Sequence, residues 1–491
     1  MRKEDLNEAI RNVDGDLVKA AEKDGRKVNY GRMKWISIAT SAACFLLAAV
    51  IAVPAIKGTK KNGSNGMYGE HLVDIPSDSG LPYKDGYIGY EGKTGSEESL
   101  MIPDSAIHAP DSVSSKTATA EDPGYMIELP PVGGDHSFYP APTEISAGTL
   151  TAGEWKDIAD LEAWVKLIRD NKWYAVAESR NLFSDNYVVV TVKSGEDACF
   201  NAKVELMQGE KVIYTAKTDI FGKAYLYYNI DNKTDAPDAV RVGDRSYALE
   251  GKNDISIEAA DAGVRAEKLD LMLMIDTTGS MSDELRYVSA ELKDMVARIA
   301  SKDRSFSIRV SVNFYRDEGD EYVVKYFDFR TDIDDCLKII SEQSANGGGD
   351  YPEAVHTALE NAVNGHQWRN DAIKICFLIL DAPPHTESEI QGINAKIVSS
   401  VRDAAAQGIR MVPVLCSGSD DQTEYLCRSF AALTGGTFLF LTDDSGIGFS
   451  HHDPEVGEFD VEKLNEAMIR VVCEMCGFEY AKPVGDVQMQ N

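Results

Sequence analysis

Positive charge is what this sequence is short of. Fifty Lys and Arg face 80 Asp and Glu, a formal net charge of −30 over 491 residues. A surface that negative repels phosphate backbones, which argues against a nucleic-acid partner. Cysteine pairs at metal or disulfide spacing are equally scarce. The eight cysteines, at positions 44, 199, 336, 376, 416, 427, 473 and 476, contain a single CxxC, Cys473 to Cys476, with no second pair at zinc spacing. Packing is therefore the expected role of these thiols, and no disulfide framework emerges. Cys376 and Cys416 sit in apolar runs, where a thiol acts as a small hydrophobe. Gly-x-Ser-x-Gly and His-Glu-x-x-His are both absent. A metal-dependent hydrolase would have to rest on His385, four residues past Asp381, as its base.

One long apolar run is present. Trp35 to Ile56, "WISIATSAACFLLAAVIAVPAI", is 22 residues without a charge. At about 1.5 Å rise per residue it can cross a hydrocarbon core of about 30 Å. Six Lys or Arg lie in the 20 residues before it and three in the 20 after. That bias predicts a cytoplasmic segment at 1–34, a transmembrane helix at 35–56 and everything beyond it outside the cell membrane. A cleaved signal peptide is the competing expectation, but 34 residues before the apolar run is far longer than usual. Within 1–34, Leu6, Ile10, Val13, Leu17 and Ala21 recur at helical spacing, which allows a short amphipathic helix and a cytoplasmic partner.

Residues 57–152 are rich in Gly, Ser, Pro and Asp without lasting periodicity, as in "PDSVSSKTATAEDPG". Such a stretch buries too little apolar area to offset its entropy, and is expected to be a disordered tether. Residues 153–264 form the next block. In "EWKDIADLEAWVKLIRDNK", Trp155, Ile158, Leu161, Trp164, Val165 and Ile168 fall on one helical face. The short runs "YVVVTVK", "FNAKVEL", "KVIYTA" and "KAYLYYNI" then predict a small antiparallel β-sandwich. The turn "TDIFGKA", Thr218 to Ala224, resembles that of carboxypeptidase-regulatory-like and transthyretin-like sandwiches, which implies a spacer or binding module.

From 265 to 478 the rhythm becomes strand, helix, strand. Continuous apolar strands such as "LDLMLMID", "AIKICFLILD" and "IRMVPVLC" alternate with helices, predicting an α/β fold with a mostly parallel sheet covered on both faces; 479–491 is a tail. Ligands of open α/β sheets bind at the carboxyl ends of the strands. Three features fall there: Asp276-Thr-Thr278-Gly-Ser280, the loop "NGGGDYPEA" from Asn346 to Ala354, and Asp381 in "FLILDAPPH". Carboxylates and hydroxyls without His or Cys are hard ligands suited to Mg²⁺, Mn²⁺ or Ca²⁺. Simpler roles exist for each: Asp276 or Ser280 as a helix cap, Asp350 as the cap of a helix from Pro352 with Glu353 completing a capping box, Asp381 as a turn former. "HHDPE", His451 to Glu455, is expected to be solvated.

With these residues, the segment resembles a von Willebrand factor type A domain, Asp276-x-Thr278-x-Ser280 matching the Asp-x-Ser/Thr-x-Ser of its metal-ion-dependent adhesion site. The resemblance implies a Rossmann-like, doubly wound fold and a divalent cation, usually Mg²⁺. Thr278 and Ser280 would bind it through hydroxyls, and Asp276 and Asp381 directly or through water. One departure is Asp350, standing where many members carry a threonine ligand. The expected function is a membrane-anchored, extracellular binding or adhesion protein that takes a protein or other surface ligand through its metal. A transmembrane sensor signalling through residues 1–34 is the alternative.

Overall fold

The computed structural model describes residues 84–89, 145–170, 172–259, 265–302 and 305–481. The chain divides into two compact units, Met1–Ser79 and Gly80–Asn491, and every described residue belongs to the second. The amphipathic segment, the Trp35–Ile56 run, Cys44 and most of the tether lie outside the described residues. Among the described residues, no helix is long and apolar enough to cross a membrane.

The strand Lys268–Asp276 is apolar almost throughout and buried from its second residue onward, so it can only be central. It pairs in parallel with Ser307–Tyr315 on one side and Ile373–Leu380 on the other. Ile409–Leu415 and Phe438–Leu441 extend the parallel set. Alternate residues of these strands serve opposite faces. Leu269, Leu271, Leu273 and Ile275, with Ile375 and Phe377, pack beneath helices Leu285–Ala300, Ile333–Ser341 and Leu464–Cys476. Met272, Met274, Cys376 and Leu378 face helices Val355–Asn364, Ile393–Gln407 and Asp421–Thr434. The expected mostly parallel sheet with helices on both faces is present.

Its edges were not anticipated. Asp85–Ile88, inside the supposed tether, runs antiparallel to Val324–Phe327 and closes one edge. Asp85 pairs with Arg330, the Val323 amide donates to the Ile88 carbonyl over 2.8 Å, and Tyr87 packs against Tyr322. At the other edge Thr151–Trp155 pairs antiparallel with Phe438–Leu441 and with Glu462–Lys463. Trp155 therefore belongs to a strand and not to a helix; the helix is Leu161–Asp170, whose Leu161, Trp164 and Ile168 are buried as expected. The assignment of all of 57–152 to disorder fails at both places, because strand pairing with residues more than 200 positions away supplies the backbone partners that local composition does not.

Two four-stranded sheets make up the sandwich. Most pairs are antiparallel, but Asp254–Glu258 lies parallel to Tyr187–Ser194, a departure from the purely antiparallel expectation. The sandwich shares one hydrophobic core with the helical face of the large sheet. The Tyr214 hydroxyl donates to the Leu433 carbonyl over 2.7 Å, and Arg402 to the Ile213 carbonyl over 2.8 Å. Cys473 and Cys476 are buried, like the other described cysteines.

A candidate metal centre at the mouth of the sheet

Asp276 ends the central strand, fully buried, and the chain must turn there. Its Oδ1 accepts from the Thr278 amide at 2.9 Å and the Thr278 hydroxyl at 2.7 Å; that hydroxyl lies 3.1 Å from Ser280 Oγ. The alternating residues thus converge on one point. Thr277 faces the other way, bonding the Tyr315 carbonyl and, at 2.9 Å, the Tyr322 hydroxyl. A 3-10 turn, Gly279–Asp283, separates this loop from helix Leu285–Ala300, and neither Asp276 nor Ser280 caps it.

The glycine-rich loop is zipped onto this turn. Gly279 N donates to Gly347 O and Asn346 N to Thr277 O, each at 3.0 Å. Gly347 and Gly348 both have positive φ, 79° and 70°. A Cβ on Gly348 would stand 2.9 Å from Glu353 Oε1 and 3.2 Å from Thr278 Cβ, so only glycine lets the loop pass so near the site. The consequence is a shift of three residues from expectation. Glu353, not Asp350, turns inward beside Asp276 and Asp381, and it is 2% exposed. Its backbone is pinned by a 2.9 Å bond to the Pro383 carbonyl, next door to Asp381. Asp350 is exposed and stands at the rim with His385 and Glu389. Nor does it cap a helix, because Val355–Asn364 begins after Ala354 with no side-chain cap.

Electrostatics mark the trio. Burial pushes Asp276 up to about 6, with the charge of Asp317 adding to it and the Thr278 bonds opposing. Burial, then the Asp276 charge, lifts Asp381 to about 8. Burial together with Asp276, Asp317 and Asp381 lifts Glu353 to about 10. Asp276 Oδ2, Glu353 Oε2 and Asp381 Oδ1 are buried oxygens without a hydrogen-bond partner. Native proteins rarely leave buried acceptors unmatched, and like charges packed together need a counter-charge. An all-oxygen set of this kind fits a hard divalent cation. Ser280, exposed at the lip, lies beside Asp381, whose pKa it lowers, and completes the set.

Residues 270–442 match the family model of the von Willebrand factor A domain. The chain carries an A domain. It is 28% identical over 186 residues to the putative ariadne-like RING finger protein R811 of Acanthamoeba polyphaga mimivirus, covering 35% of this chain and 18% of that protein. It is 25% identical over 139 residues to the alpha-protein kinase vwkA of Dictyostelium discoideum, covering 28% of this chain and 22% of the kinase. The chain thus spans about a fifth of the length of these curated relatives. Among solved structures, the conserved hypothetical protein BatB from Bacteroides thetaiotaomicron aligns over 43% of this chain and 87% of its own, at 12% identity and a TM-score of 0.24.

Around the A-domain site, His385 and the two histidines of the segment expected to be solvated, His451 and His452, are engaged. His385 Nε2 lies 2.6 Å from Asp317 Oδ1, and that bond raises its pKa. His451, expected to be solvated, lies between Glu284 at 2.9 Å and Asp443 at 2.8 Å. His452 meets Glu424 at 2.7 Å. Glu424 also holds Arg428 and the Glu455 amide, which makes the Asp421–Glu424–His452 group a structural knot. Glu353 could have been suspected from its carboxylate just ahead of a largely apolar helix, but capping chemistry explains the same pattern.

Proposed function

We propose that this chain is a membrane-anchored, outward-facing binding protein whose A domain recognises its ligand through a divalent cation. An A domain supports a binding role in general, commonly toward a protein. The observation that carries the metal-dependent reading is the set of unpartnered, buried oxygens on Asp276, Glu353 and Asp381. Those residues, with the Thr278 and Ser280 hydroxyls, would hold the ion, with Mg²⁺ preferred and Mn²⁺ or Ca²⁺ as substitutes. The ion would supply a positive centre to which a partner's oxygen can bind. Three carboxylates against two positive charges leave the mouth about one unit negative. A hydroxyl or carbonyl oxygen of the partner therefore suits the site better than a carboxylate.

Calorimetric titration of the full chain with Mg²⁺ or Mn²⁺ tests this. Saturable binding is expected in the wild type and none in Asp276→Ala, which removes the charge at the centre of the loop. Equal heats from both proteins would refute the assignment.

We further propose that the module has no catalytic role of its own. Among the described residues His385 is the candidate base that stands at the rim of the mouth, and its bond to Asp317 favours the protonated imidazolium, the wrong form for taking a proton. The membrane placement rests on the Trp35–Ile56 run and the six-to-three bias of basic residues around it. Protease added to intact cells should cut within 57–150 and release a fragment holding sandwich and A domain. A fragment protected until lysis would reverse the topology.

A further inference from the structure

The amino-terminal end of the parallel sheet, about 25 Å from the acidic mouth by the rise of an eight-residue strand, is built very differently. There the Thr218–Ala224 turn of the sandwich covers the starts of Ile373–Leu380 and Ile409–Leu415, enclosing a cleft of about 230 Å³. The turn is rigid by construction. Asp219 Oδ1 accepts from the amides of Phe221 at 2.9 Å and Lys223 at 2.8 Å. Gly222 has φ +75°, and a Cβ there would meet the Val192 carbonyl at 2.3 Å. Ile220, Tyr225, Val471 and Met475 give the cleft apolar walls.

Lys217, Lys223, Lys374 and Arg410 also line it. None of the four forms an ion pair among the described residues, although the chain as a whole is strongly acidic. Lys374 is 2% exposed and Arg410 6%. Lys374 Nζ donates to the Gln407 carbonyl at 2.9 Å, and Arg410 to the carbonyls of Thr434 and Lys217, each at 2.6 Å. Of the neighbouring carboxylates, Asp219 lies in the lining and offsets part of the Arg410 charge while its Oδ1 accepts the two amides of the turn, and the others are committed elsewhere. Asp270 is gripped by Arg309 and Arg369, Asp371 by Lys268, and Glu474 by Lys156 and Arg470. Burial, reinforced by Lys217 and Arg410, lowers Lys374 to about 7. A cation so placed has much to gain from an incoming anion.

We propose that this cleft binds a small organic anion, its phosphate or carboxylate head on Lys217, Lys374 and Arg410 and its apolar body against Ile220, Tyr225 and Met475. Clefts between packed modules that combine apolar walls with a few convergent polar groups are common ligand sites. A purely structural role is the competing account. Gln407 and Thr434 end their helices, and cations suit helix carboxyl termini. That account explains Lys374 and Arg410 but not the convergence of Lys217 and Lys223 from the sandwich.

The experiment uses the full chain in EDTA, so that no cation at the acidic mouth can capture the probe. Phenyl phosphate is titrated calorimetrically, with benzyl alcohol as its uncharged counterpart. Saturable binding of phenyl phosphate alone is expected, weakened tenfold or more in Lys217→Met and in Lys374→Met. Lys223→Met, at an exposed position, tests the same charge without disturbing the core and should weaken binding less. No binding by the wild type, or equal binding by the wild type, Lys217→Met and Lys223→Met, would overturn the site and leave helix-end contacts as the whole role of these cations.

Discussion

Metal-free protein should lose stability as pH rises from about 5 to 9, and saturating Mg²⁺ should remove or reverse that slope. The folded-state pKa values of Asp276, Asp381 and Glu353 are raised from ordinary carboxyl values to about 6, 8 and 10. Between the ordinary and raised values the folded state holds protons that the unfolded state has released. Stability from this source is therefore complete below about pH 4 and is lost progressively as pH rises through 6, 8 and 10. His385, His451 and His452, also raised, add a loss of the same sign above their ordinary value. Lys374, lowered to about 7, opposes it, because above pH 7 the unfolded chain binds the extra proton. Comparison with Glu353→Gln isolates the site. The amide keeps the shape and stays neutral without taking up a proton, a proton that the folded wild type must bind at Glu353 and the unfolded chain has released, so the metal-free variant should be more stable than the wild type at pH 8 or 9, by an amount on the order of a few kcal/mol. The same variant should bind Mg²⁺ at least tenfold more weakly, a cost of about 1.4 kcal/mol. Melting curves across pH, with and without Mg²⁺, decide it. Parallel curves for the two proteins would mean that Glu353 carries no charge-dependent role.

Arg428→Met should cost about 3–5 kcal/mol, because it strands buried charge. The guanidinium grips Asp157 with two bonds, at 2.9 and 2.6 Å, and Glu424 with one at 2.9 Å. It stacks 4.6 Å from the Trp164 ring centre and 5.5 Å from that of Trp173. Asp157, whose pKa burial already raises, would be left without its partner. This knot ties the segment entering the sandwich to the helix Asp421–Thr434, so its loss should loosen one module from the other. Urea unfolding of the full chain measures the effect. In Asp157→Asn/Arg428→Met, with the stranded charge removed, part of the stability should return. A single-variant loss below about 1 kcal/mol would place the knot among ordinary surface pairs.

The determinants written in local sequence were the ones that emerged from it. A strand buried on both faces needs continuous apolar residues, so Lys268–Asp276 and Ile373–Leu380 were legible, and with them the doubly covered sheet. The carboxyl end of such a strand is where a ligand loop belongs, and alternate side chains in one tight turn share a direction. Asp276, Thr278 and Ser280 by their alternate spacing, and Asp381 by its place at a strand end, were legible as neighbours at that mouth, and the resemblance to an A domain supplied the roles they would play. Other features depended on partners distant in sequence. Asp85–Ile88 is a strand only because Val324–Phe327 offers it an open edge, and Thr151–Trp155 only because Phe438–Leu441 does. The joining of the sandwich to the A domain through one core and the basic cleft beneath it depends on surfaces meeting across some 200 residues. Asp350 and Glu353 are chemically similar and three residues apart, and capping patterns suit both. The backbone path through Gly347 and Gly348, at positive φ, decides between them: it carries Asp350 to the rim and turns Glu353 onto Asp276 and Asp381.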